Sequence, residues 1–87
     1  MILHLGADTV VRMEDLLAIV PEGTVTENAE NRILLDTAKR TGRFISVSDD
    51  PVKSYVFCTR EDVILAYASP ISAATLVRRA EEYISRK

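Results

Sequence analysis

His4 and Cys58 are the single imidazole and the single thiol in a chain of 87 residues. A nucleophilic site needs a nucleophile, a base and an orienting group, so any histidine-dependent catalysis here must run through His4. That residue sits in the apolar run Ile2-Leu3-His4-Leu5. Alternation sets it beside Ile2 on one side of a strand and puts Leu3 and Leu5 on the other, a position that suits a structural or interfacial histidine better than a base. Cys58 lies in a second apolar run and reads as a buried, reduced thiol. A lone cysteine closes no internal disulfide, which favours a reducing, cytosolic compartment. One His and one Cys in separate segments give no metal-ligand spacing. The acidic pairs Glu14-Asp15, Asp49-Asp50, Glu61-Asp62 and Glu81-Glu82 are sequence neighbours, which point apart on a strand or helix, so they read as solvated turns and faces. Gly6, Gly23 and Gly42 stand alone, and no phosphate-cradling loop is present. These residues argue against an enzyme, a metal, a cofactor or a small-molecule substrate. They argue for a module that binds or assembles.

Charge is the other source of chemistry. The formal net charge is −2, too small for a nucleic-acid footprint by itself. Its distribution is uneven: residues 1–38 carry −5 and residues 39–87 carry +3. A basic surface would therefore be local. Arg78-Arg79 is the most compact basic pair, but Glu81 and Glu82 follow it at once.

The elements that must position these groups follow from periodicity. Ile2–Leu5 and Thr9–Arg12 read as strands around a Gly6-Ala7-Asp8 turn. Leu16-Leu17-Ala18-Ile19-Val20 is a continuous apolar run ended by Pro21 and reads as a strand buried on both faces, although its beginning also suits a helix. Thr24 and Glu27 have capping-box spacing, which predicts one helix from about Val25 to Thr41. Ala29, Ile33, Leu34 and Ala38 form its apolar stripe, widened by Leu35. Gly42 supplies the left-handed stop. Strands over residues 44–48, 54–59 and 63–68 follow one another closely enough to predict an antiparallel meander. Ser72 caps a final helix reaching Arg86, with Ala73, Leu76, Val77, Ala80, Tyr83 and Ile84 on its apolar side. The prediction is one α+β domain over residues 1–87: a mostly antiparallel sheet with a central helix and a C-terminal amphipathic helix. The N-terminus lacks the basic region of a signal peptide, and no stretch approaches the roughly 20 apolar residues of a membrane span. A domain this small buries only about 60% of its unfolded surface. Self-association is the expected supplement, with Ile2, His4, Tyr83 and Ile84 as candidate contact residues.

Several segments in order resemble a known bacterial family, the RemA/RemB-type regulators of extracellular-matrix and biofilm genes, more closely its RemB branch. They are Leu3-His4-Leu5-Gly6, Val10-Val11, Lys53-Ser54-Tyr55-Val56-Phe57-Cys58, and the stretch from Ile71-Ser72-Ala73 to Arg78-Arg79-Ala80. The resemblance implies a small, non-enzymatic α+β protein of the bacterial cytosol that acts as a ring-like homo-oligomer. In the RemA branch it implies a DNA-binding transcriptional activator of matrix operons. The arginines that contact DNA there lie just before the strand preceding the central helix and in the loop between the two strands after it. This chain departs at both places: the first falls at about Asp15, and the loop reads Asp49-Asp50-Pro51-Val52-Lys53, which repels phosphate. Arg43, Lys53, Arg78 and Arg79 are the candidate substitutes. The expected function is matrix regulation by a homo-oligomer with DNA as a candidate partner. The alternative is an oligomeric scaffold or protein-interaction module that binds no DNA.

Overall fold

A computed structural model describes residues 1–85; the predicted end of the last helix at Arg86 lies outside them. Strands β1 (Ile2–Gly6) and β2 (Thr9–Arg12) form an antiparallel hairpin. A single 3-10 turn, Met13–Asp15, leads into β3 (Leu16–Pro21). Helices α1 (Glu22–Glu27) and α2 (Ala29–Arg40) follow, then β4 (Phe44–Ser46), β5 (Ser54–Arg60), β6 (Val63–Ser69) and α3 (Ala73–Ser85). The larger sheet has four strands in the order β3-β5-β6-β4. The α+β class with mostly antiparallel strands and a C-terminal helix is as predicted.

Alternation along β5 divides the molecule into layers. Val56 and Cys58 face the hairpin and α3, packing with Leu3, Leu5, Val11, Val47 and Leu76. Phe57 faces the other way, into a cluster of Val20, Val25, Leu35, Ala38 and Ala66 under α1 and α2. The sheet is thus the middle of three layers. Two buried serines tie the first layer to it. Ser69 Oγ donates to Leu5 O at 2.6 Å and accepts from Ile71 N, while Ser54 Oγ donates to Ile71 O at 2.7 Å. Gly6 has a φ of 117° beside these bonds, and a Cβ there would meet Pro70 at 3.1 Å. Only glycine takes that backbone in so close a space.

Three expectations are corrected. The single helix from Val25 to Thr41 is two, broken at Asn28. Asn28 is extended (φ −111°, ψ 114°) and its Oδ1 accepts from Asn31 N at 3.0 Å, so an asparagine cap starts α2. The Thr24–Glu27 spacing lies inside α1 and starts nothing; Thr24 O instead accepts from Asn28 N. The meander is also incomplete. β5 and β6 form a tight hairpin around Glu61 and Asp62, both at positive φ (53° and 66°), as a type I′ turn requires. β4 lies across β6 from β5 and runs parallel to β6. The connection 47–53 arches over the end of β6, bonding Val47 N to Ala68 O and Lys53 N to Ser69 O. Finally, β3 is an edge strand. A bulge between Leu16 and Ala18 turns Leu17 outward at 53% exposure, so the run is not buried on both faces.

The final helix begins at the predicted cap, but Val77 and Ile84 of its predicted apolar side are exposed. Ser72 Oγ accepts from Thr75 N at 3.3 Å, and Ala73, Leu76 and Ala80 are buried on its inner side. Gly42, at φ 74°, ends α2 while Arg43 N reaches back to Ala38 O.

Candidate functional surface

The candidate contact residues at the two ends of the chain come together. Packing of β1 against α3 forms a trough lined by Leu3, His4, Arg79, Glu82 and Tyr83. It runs past Tyr83 into a second hollow lined by Met1, Met13, Glu14, Tyr83 and Ile84. His4 is exposed because alternation buries Leu3 and Leu5 instead, and its carbonyl lies 3.5 Å from Arg79 Nη1. Ile84 is 63% exposed beside Met1 at 62%. Ile2 is exposed on the same strand but lines neither hollow.

The four candidate DNA-binding residues do not converge on one protomer. Arg78 and Arg79 are exposed on α3, in the hairpin layer. Arg43 lines a groove on the opposite layer with Leu34, Thr37, Thr41, Asp62 and Ile64. Lys53 stands at the start of β5, where its carbonyl accepts from Glu22 N. Asp49 and Asp50 are exposed in the arch before it, with Asp50 N held by Ser48 Oγ at 3.2 Å. Arg43 and the α3 arginines thus lie on opposite layers of the sheet.

No reactive constellation forms among the described residues. Cys58 is buried, and its thiol is pushed up to about 11 by desolvation and then by the Asp15 carboxylate. It is protonated at neutral pH and a poor nucleophile. Burial likewise raises Tyr55 and Tyr67. No group of three or more potential metal ligands occurs among the described residues. Nor is any helix among them long and apolar enough to cross a membrane.

Sequence reasoning missed the 3-10 turn and its ion pairs. Arg12 Nη2 meets Glu14 Oε1 at 2.5 Å, and Arg12 Nε lies 3.7 Å from Asp15 Oδ2. The i,i+3 spacing of Arg12 and Asp15 was the available signal. The position expected to carry a DNA-binding arginine is therefore a carboxylate already partnered within its own chain.

Comparison with known proteins decides the family. A model described as RemA-like, extracellular matrix regulatory protein A-like, matches residues 2–80. The chain belongs to the RemA-like family. The match runs from β1 into α3 and includes every strand. No curated protein matches the chain. The family name carries a role in extracellular-matrix regulation.

Proposed function

We propose that this RemA-like protein is a non-enzymatic regulator of extracellular-matrix genes, of the RemB branch, that works in the bacterial cytosol as a homo-oligomer. The observation that carries the reading is the family match over residues 2–80. The surface supports self-association. Met1 and Ile84, 62% and 63% exposed, line one hollow with Met13 and Tyr83, and apolar side chains gathered in this way on a surface mark contact sites. DNA is the proposed partner, contacted by Arg78 and Arg79 on the outer side of α3 with Lys53 as a further phosphate contact. Such contacts are weak singly; assembly repeats them and adds avidity.

Light scattering over a dilution series tests the assembly, and a particle that stays single when concentrated removes it. An electrophoretic shift across a salt series tests the DNA. Affinity should fall steeply with salt, and Arg78→Ala with Arg79→Ala should flatten that slope. No shift at the lowest salt would leave the second reading, an oligomeric scaffold without DNA. Asp49 and Asp50, exposed together beside Lys53, favour that alternative.

A further inference from the structure

We infer that copies of this chain join edge to edge, with β3 of one copy beside β4 of the next, running parallel. This rests on the proposed self-association and assigns its contact surface. The first support is direction. β3 is antiparallel to β5, β5 is antiparallel to β6, and β4 is parallel to β6. The two outer strands of the sheet therefore run the same way. A rotation about an axis along the strands brings β3 of one copy against β4 of another with their starts level. Such a contact joins two different surfaces and so repeats around an assembly.

The second support is unpaired backbone. β4 bonds to β6 through Arg43 O and Val47 N, each at 3.0 Å. Backbone groups alternate along a strand, so those of Phe44 and Ser46 face away from β6. On the other edge, the bulge at Leu16–Ala18 leaves Leu17 and Ala18 exposed. β4 is only three residues long, too short for backbone pairing alone to hold a partner, so side chains must select it.

The third support is that those side chains match at the same height. At the start of β4 lies a groove of about 230 Å³ floored by Leu34, Ala38 and Ile64 and bordered by Arg43. Arg43 and Asp62 line it, and two further cations stand next to that lining: Arg40 Nη2 lies 3.3 Å from Thr37 Oγ1 of the groove, and Lys39 Nζ lies 5.2 Å over the Phe44 ring. At the start of β3 stand the exposed Leu17 and, just before it, Glu14 and Asp15, only partly offset by Arg12. In the parallel arrangement Leu17 enters the groove and Glu14 faces Arg43. Glu14 also borders the hollow with Met1 and Ile84, so that apolar surface continues the same contact. Arg43 is thereby assigned to the joint between copies and not to DNA.

The test reverses each charge and then mixes the variants. Arg43→Glu and Glu14→Arg are both at exposed positions, and circular dichroism confirms that each folds. Each alone puts like charges across the joint and should weaken association at least tenfold by sedimentation. An equimolar mixture should reassemble, because every joint between the two variants again pairs opposite charges. Leu17→Lys should weaken association without rescue by either partner. Should the wild type assemble while all three variants assemble equally well, the edge contact is wrong and self-association stands. A wild type that stays single at high concentration overturns both.

Discussion

The two layers on either side of the sheet are built to different standards. On the hairpin side Leu3, Leu5, Val56 and Leu76 are all fully buried, and Ser54 and Ser69, also at 0% exposure, fix the hairpin and the start of α3 to the sheet. On the helix side the core is small: Ala38, Ala66, Val20, Val25 and Leu35 surround Phe57. Two large side chains of α2, Ile33 and Leu34, face water at 64% and 38%. Both layers leave large apolar side chains on the surface, Met1, Ile2 and Ile84 on the hairpin side and Ile33 and Leu34 on α2. They differ in how completely the core is covered: Leu3, Leu5 and Leu76 have no exposed surface, whereas Val25, Leu35 and Ala38 of the two helices each keep a few per cent.

This contrast is broken most readily by truncation. Leu76→Ala removes a side chain with no exposed surface from a cluster supplied by β1, β2 and β5, so the cavity collapses poorly. It should cost about 4 kcal/mol by denaturant unfolding, near the upper part of the range for such changes. Leu35→Ala sits beside exposed neighbours that can close over the gap and should cost about 2 kcal/mol. Equal losses would mean that the helix layer is packed as tightly as the hairpin layer. Ser69→Ala sharpens the same point from the polar side. It leaves the Leu5 carbonyl and the Ile71 amide without their partner, which should cost about 1–3 kcal/mol. A loss near zero would show that these bonds merely accompany the packing.

Much of the hairpin layer was legible in the sequence, and the reason is local. The alternation of Ile2-Leu3-His4-Leu5 and the Ser72 cap are each contained within a few residues, and both are found in the structure. The helix layer was harder because its decisive features are non-local or compete with a better-known signal. Thr24 and Glu27 offered a capping box, while Asn28 made the cap. Ile33 fitted a helical stripe but is not covered, since α2 turns Leu35 and Ala38 inward. The place of β4 beyond β6 depends on how the β5–β6 hairpin inserts, which no spacing near residue 44 encodes. The gathering of His4, Arg79 and Tyr83 into one trough was foreseen only as two separate ends. The dispersal of Arg43, Lys53 and the α3 arginines over different layers was not foreseen at all.

Alkaline pH should act through the hairpin layer first. The Cys58 thiol titrates at 9.0 when unperturbed and is raised to about 11 in the fold. The folded state therefore favours the neutral thiol, a contribution fully present below pH 9 and lost as pH rises through about 11. Cys58→Ala should flatten the fall in stability over that window. Tyr55 and Tyr67, also raised by burial, would account for the slope that remains. An unchanged slope would place the titration elsewhere.

The smallest effect expected in dilute protein belongs to Ile33→Ser. A side chain 64% exposed contributes little to the fold, and surface substitutions of this kind stay within about 0.5 kcal/mol. The informative measurement is the unfolding midpoint at two protein concentrations. If the helix layer faces only water, wild type and variant unfold together at both. If a second copy covers Ile33, binding stabilises the wild type by mass action, so its midpoint rises with concentration while that of Ile33→Ser lags behind. A lag that grows with concentration would extend the contact between copies from the sheet edges onto the outer side of α2, whereas identical curves would confine it to the edges.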